Sequence, residues 1–332
     1  MKKSLIALAV LGLSGAAMAQ SSVTLYGVAD AGLGQIKAPG GSPIAPGVLK
    51  SSDNTSAATG KLGKAQFISA SLMNNTDSRL GVRGVEDLGG GLKVKYNFET
   101  GLDLDDGSTA GSTFWARQAN MAISGDWGTV SLGRQFTPSY LALSTYELTG
   151  TANYSVLGNT YHYVGLTQRA DSAFAYITPT FSGLTAGVAF VSKNDYLGKN
   201  VWDVAALYAN GPISAGVSVN KVQNGKTGYQ LGGKYSFGDF AVAASYTQAA
   251  LPATKQVRRG FGLGGSATFG AFTATLDLTR DTKNNWYVAD GKKYTNGVVE
   301  LKYALSKRTF VYGAYLRSDR TNNYGLGIRH NF

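Results

Sequence analysis

Apolar residues recur along this chain with a period of two. In LKVKYNFE, Leu92, Val94, Tyr96 and Phe98 share one side, while Lys93, Lys95, Asn97 and Glu99 share the other. AFTATLDLT sets Phe272, Ala274, Leu276 and Leu278 against Thr273, Thr275, Asp277 and Thr279, and VELKY repeats the pattern. Successive side chains of a strand point to opposite faces, so each run predicts a strand with one apolar and one wet face. The alternation continues to the end of the sequence. In YGLGIRHNF, Tyr324, Leu326, Ile328, His330 and Phe332 fall together.

The connections alternate in length. EDLGGG, GDWG, FSG, NGP and FGD are tight, whereas residues 37–65, 100–113, 135–168 and 281–295 are long and polar. Short turns at one end and long loops at the other describe an up-and-down meander of about sixteen strands. Charges and amides occupy the wet face at strand centres, and no crossover connection is evident, so a soluble sandwich fits poorly. The expected fold is all-β, a sixteen-stranded antiparallel transmembrane β-barrel. Closure leaves no unpaired sheet edge in lipid, and a barrel of this size has a lumen too wide for side chains to fill. The last strand should pair with SSVTLYGVADAGL, making Phe332 a barrel-closure residue at the rim.

MKKSLIALAVLGLSGAAMAQ combines Lys2 and Lys3, an apolar run over residues 5–13 and Ala17-Met18-Ala19 before Gln20. This is the pattern of a signal peptide cleaved between Ala19 and Gln20, and the apolar run is too short for a hydrocarbon core about 30 Å thick. The expected domains are residues 1–19, removed, and 20–332, the barrel. With no cysteine, the exported chain uses neither disulfides nor thiolate metal sites. The formal net charge of +11 is compatible with an anionic membrane surface or with anions as cargo. Export makes nucleic acid the weakest partner.

SVTLYGVADAGL at 22–33, SRLGVRGVEDLGGGLK at 78–93, FWARQANMAI at 114–123, TVSLGRQ at 129–135, RADSAFAY at 169–176 and the terminal GIRHNF resemble the general porins of beta-proteobacteria. The resemblance runs from end to end. It implies a homotrimeric, multi-pass channel of the Gram-negative outer membrane, in contact with its lipid and lipopolysaccharide. Small hydrophilic solutes and ions would diffuse passively through it, anions preferentially, and no cofactor or metal is implied.

The resemblance also implies that the third long loop folds into the lumen as a constriction, opposite a basic wall. That loop is residues 136–168, with one carboxylate, Glu147, and five tyrosines, Tyr146 among them. Candidates for an anion-selective wall are Arg79, Arg83, Lys95, Arg117 and Arg169, with Asp171 beside Arg169 on its face. Strand parity sends Arg79, Arg83 and Lys95 to the lumen. Simple parity puts Arg117 with lipid-facing Ala119, Met121 and Ile123 unless a bulge intervenes, whereas the resemblance favours the lumen.

Other motifs carry less. Gly260-x-Gly262-x-x-Gly265 matches a dinucleotide fingerprint but lacks the required helix after it, and glycines in barrel strands more often permit bending or close packing. Asp103, Asp105 and Asp106 miss calcium-loop spacing. His162 and His330 have no recognisable nucleophile partner, and no G-x-S-x-G elbow occurs, so no catalytic residue is assigned. The tyrosines of the folded loop suit either a substrate-specific track or packing against the wall.

Overall fold

The computed structural model describes residues 21–37, 64–111, 113–195, 198–252, 254–286 and 291–332. Strand β1 spans Ser22–Gln35. β2 runs in two pieces, Gln66–Ser69 and Ser78–Gly89, both paired to β1. β3 is Leu92–Leu102, and β4 is Thr109–Ala110 continued by Gln118–Gly125, both on β3. Then follow β5 (Gly128–Phe136), β6 (Arg169–Ile177), β7 (Leu184–Val191), β8 (Val201–Asn210), β9 (Ile213–Val222) and β10 (Thr227–Phe237). β11 (Phe240–Ala250), β12 (Val257–Phe269), β13 (Phe272–Asn284), β14 (Thr295–Ala304), β15 (Thr309–Ser318) and β16 (Thr321–Asn331) complete the sheet. With each interrupted strand counted once, the barrel has sixteen strands, every one antiparallel to its chain neighbours.

The sheet closes between β1 and β16, in register from Val28↔Asn331 to Gln35↔Tyr324. Phe332 extends this seam: its N–H donates to the Gly27 carbonyl at 3.1 Å, and its carbonyl accepts from the Gly27 N–H at 3.0 Å. An unpaired ladder here would leave backbone groups without partners in hydrocarbon, at several kcal/mol each.

The two faces of β13 decide which way the barrel is turned. Leu276 and Leu278 are 49% and 40% exposed, whereas Asp277 between them is 2% exposed. The apolar side faces outward, which is stable only against lipid. Aromatic rings gather beside the short turns. Phe237 stacks on Phe240, and Phe240 meets Phe269 edge to face, both at centroid distances of 5.8 Å, as expected of an interfacial girdle.

Two segments fold inward. Between β5 and β6, α1 (Pro138–Tyr146), α2 (Val156–Tyr161) and a 3₁₀ turn (His162–Gly165) line the interior. Thr137 caps α1 by accepting from the Tyr140 N–H at 3.3 Å, with proline in the first turn, where its missing N–H costs nothing. α1 lies along β8–β10 and α2 along β13–β15. Polar contacts fasten this loop to the wall. Ser139 donates from N and Oγ to Asp203 at 2.8 and 2.6 Å, and the Tyr146 hydroxyl donates to Gln230 at 2.9 Å. Thr160 and Thr279 meet at 2.9 Å, and the Tyr154 hydroxyl donates to Glu300 at 2.5 Å. Close approach is built in with glycine: a Cβ on Gly232 would strike the Tyr146 ring, and one on Gly262 would lie 2.6 Å from Leu157 Cδ2. The apparent dinucleotide fingerprint is therefore strand β12, thinned where the loop rests on it.

The second inward segment, residues 70–77, interrupts β2 and was not anticipated. Asn74 Nδ2 and the Tyr312 hydroxyl both donate to Asp30 Oδ1, at 3.0 and 2.6 Å. Asn75 Nδ2 donates to the Tyr154 hydroxyl at 2.8 Å. Ile68, Met73, Tyr154, Val156, Tyr312 and Leu316 pack together where the two inward segments meet the wall. The expected cleavage site, Ala19 and Gln20, lies outside the described residues, as does most of residues 37–65.

Candidate functional site

The inward loop does not fill the barrel. It leaves a cavity of 440 Å³ against the wall formed by β1–β4 and β16. Tyr140, Gly150, Thr151 and Asn153 form its loop side. Arg79, Arg83, Arg117, Arg169 and Arg329 stand on the other, with Asp77 and Glu99 as its carboxylates. Five guanidinium groups thus share the cavity with two acids.

Glu99, on the lumenal face of β3, organises the arginines. Arg117 Nε donates to its Oε1 at 2.7 Å, Arg79 Nε lies 3.6 Å from Oε2, and Arg169 Nη2 lies 3.8 Å from Oε1. The Tyr26 hydroxyl adds a 3.0 Å contact to Oε2. Asp77 holds the next position. It accepts from Arg117 Nη1 at 2.8 Å and, through its other oxygen, from Asn153 Nδ2 at 2.7 Å. This carboxylate therefore ties the basic wall to the loop facing it. Rings supply further support, with the Arg169 guanidinium 4.3 Å from the Phe136 centroid and Arg83 5.0 Å from that of Tyr26, within cation–π range.

Arg79, Arg83, Arg117 and Arg169 come together in this cavity. Lys95 does not reach it and lines an adjoining hollow with Arg83, Asn97 and Gln135. Arg117 escapes strand parity because regular pairing in that part of β4 starts only at Gln118. The side chain before it turns inward and is 6% exposed.

Three expectations about acids and neighbours are corrected. Glu147 does not face the arginines: its carboxylate accepts from Thr149 Oγ1 and the Thr151 N–H, both at 2.6 Å, closing the turn after α1. Asp171 does not share a face with Arg169. The β5–β6 register shifts between Gly133 and Gln135, Ser172 takes φ 49°, and Asp171 pairs with Arg134 at 2.6 Å instead. Tyr146 is fully buried against the wall and lines no part of the cavity. Of the five loop tyrosines only Tyr140 borders the cavity.

Three contributors were missed. Arg329 had the right parity in GIRHNF, which could have found it; its Nη1 donates to Asn75 Oδ1 at 2.7 Å. Glu99 likewise alternated onto the wet face. Asp77 sits in the interrupted part of β2, where alternation gives no signal.

His330 Nδ1 lies 2.8 Å from Thr309 Oγ1, and the His162 ring is 5.0 Å from that of Trp286. Among the described residues no group of three or more acids and histidines suits a metal ion.

A closed strand cylinder, apolar outside, charged inside and narrowed by its own loop, defines a membrane channel. The chain matches the model of the Gram-negative porin family over residues 4–323, and it belongs to that family. It is 31% identical to outer membrane porin protein 32 of Delftia acidovorans, over 98% of this chain and 92% of the relative. An outer membrane porin of Bordetella pertussis is 28% identical over the full length of both. Among solved structures, an anion-selective porin from Comamonas acidovorans superposes with a TM-score of 0.70 at 24% identity, covering 94% of this chain and all of the other. The protein is an outer-membrane porin, a passive channel for small solutes, and family and fold point away from an enzyme.

Proposed function

We propose that this porin conducts anions in preference to cations, and that Arg79, Arg83, Arg117, Arg169 and Arg329 set the preference, with Lys95 extending the basic surface beyond them. The carrying observation is the excess of five guanidinium groups over two carboxylates around one 440 Å³ constriction. Basic rings raise the local concentration of anions. The Comamonas porin's description as anion-selective supports the same reading. The test is the reversal potential of the refolded channel under a salt gradient. A potential near that of the anion at low salt is expected, declining as the Debye length falls from about 30 Å at 0.01 M to about 3 Å at 1 M. A cation-selective potential at low salt overturns the proposal.

A general diffusion pore is favoured over a substrate-specific one because four of the five loop tyrosines pack away from the cavity. The working assembly is proposed to be a homotrimer, produced after residues 1–19 are removed. The outer face shared by β1, β15 and β16 supports self-association, since Gly32, Gly313 and Gly327 floor an apolar groove there, bordered by Leu33, Leu326 and Ile328. Cross-linking that traps no species beyond monomer would refute the trimer.

A further inference from the structure

Asparagine precedes glycine three times in this chain, at 210–211, 224–225 and 296–297. In this dipeptide the asparagine amide is most open to attack by the next backbone nitrogen, because glycine has no Cβ to shield it. The main chain must still turn until that nitrogen reaches the asparagine Cγ. An extended backbone held in a ladder does not make that turn without breaking its hydrogen bonds. Asn210 is the last residue of β8 and pairs with Ile213 across the hairpin. Asn296 pairs with Thr279 within the sheet and is 1% exposed. Its Nδ2 donates to Thr160 Oγ1 at 2.9 Å, and its Oδ1 accepts from the Asp319 N–H at 2.7 Å.

Asn224 differs from both, because it lies outside the ladder. It sits in the turn between β9 and β10, at the end of the barrel that carries the long loops, and it is exposed with φ 65°. Asparagine tolerates this left-handed conformation. Among the described residues its side-chain amide has no hydrogen-bond partner. The Gly225 N–H donates to the Val222 carbonyl at 2.8 Å, and this bond must open before the nitrogen can attack. Exposed bonds at a turn open locally at far lower cost than those of a strand ladder. Lys221 and Lys226 flank the turn, both exposed, and their charge favours the amide anion through which attack proceeds.

We propose that Asn224 is a modification site, deamidated spontaneously through a cyclic imide with Gly225. The Gly225 nitrogen gives up its proton and bonds to the Asn224 Cγ. The Cγ–Nδ2 bond then breaks, and the amide leaves as ammonia carrying that proton. A solvent water molecule adds to either carbonyl of the five-membered ring and opens it. One opening leaves aspartate at position 224, and the other leaves isoaspartate, whose Cβ lies within the main chain. No oxidant or reductant takes part. Either product places a new carboxylate between Lys221 and Lys226 at the long-loop rim.

The test ages the refolded full-length barrel in mildly alkaline buffer and follows all three asparagines by peptide mass mapping, with electron-transfer fragmentation to separate aspartate from isoaspartate. Asn224 should convert at least about tenfold faster than Asn210 or Asn296, the factor that a difference of about 1.4 kcal/mol in local opening supplies. In denaturant the three should convert at similar rates, which would assign the difference to the fold. Gly225→Ala adds the missing Cβ at a residue that does not take a positive φ, and it should slow the loss at Asn224 severalfold. Equal rates at the three sites in the folded barrel overturn the proposal. A product containing aspartate alone overturns the cyclic route, since direct hydrolysis of the side chain yields no isoaspartate.

Discussion

Arg117 and Glu99 form a buried ion pair, Nε to Oε1 at 2.7 Å, and the same carboxylate lies 3.6 Å from Arg79 and 3.8 Å from Arg169. One acid thereby allows three guanidinium groups to stand side by side in the cavity beside the inward loop. The arrangement stays net positive while relieving repulsion among the cations. Stability and selectivity consequently pull in opposite directions at position 99.

That opposition gives the first prediction. Glu99→Gln removes the charge that three arginines share and leaves them crowded in a poorly hydrated site. Breaking a buried pair by neutralising one partner costs about 3–5 kcal/mol, so the thermal midpoint in detergent should fall clearly. The channels that do fold should show a reversal potential shifted further toward the anion. A variant as stable as the parent would remove Glu99 from its organising role.

The link between wall and loop gives the second. Asn153 reaches Asp77 with its side chain at 2.7 Å and donates its backbone N–H to the Asn75 carbonyl at 3.2 Å. Asn153→Ala keeps the backbone bond and deletes the amide. The loss of about 1 kcal/mol expected for one hydrogen bond should loosen the loop without unfolding the barrel. Single-channel records should show more frequent current fluctuations at nearly the parent mean conductance. Records as quiet as the parent's would mean that the backbone bond suffices.

Most of the barrel was legible because lipid outside and solvent inside enforce a strict two-residue period on every strand. Where the period holds, as at Arg79, Arg83 and Lys95, parity alone gave the lumenal side. It gave no guidance where pairing is irregular. Arg117 precedes the regular part of its strand, Asp171 follows a register shift, and Asp77 lies in a segment that leaves the sheet altogether. Glu147 was misplaced for a different reason. A single carboxylate in a polar loop satisfies nearby hydroxyl and amide donors before it projects into solvent, and sequence spacing does not reveal that choice.

Gly232 supplies the third prediction, which tests whether the loop's position depends on a thinned wall. The Tyr146 ring occupies the space of the missing Cβ. Gly232→Val should therefore expel the ring, break its 2.9 Å bond to Gln230 and push α1 toward the cavity. Conductance should drop relative to the parent, and the double variant Gly232→Val with Tyr146→Ala should recover part of it. No drop in the single variant would show that the loop is placed by its polar fastenings alone.

The fourth prediction concerns pH. His162 belongs to the inward loop, with φ 42° and its ring against Trp286. Burial, reinforced by the charge of Arg258 and partly opposed by Asp319, pulls its pKa down from 6.5 to about 4. The folded protein holds this imidazole neutral, while the unfolded chain protonates it near 6.5. Between those values the unfolded state binds more protons, so this residue's contribution to stability is lost as pH falls from about 6.5 toward 4. Carboxylates titrate in part of the same window, and the diagnostic quantity is therefore the difference in thermal midpoint between the parent and His162→Gln. The parent should lose ground against the variant as pH is lowered from 7 to 4.5. A difference that stays flat over this range would mean that His162 is accessible to protons in the folded loop.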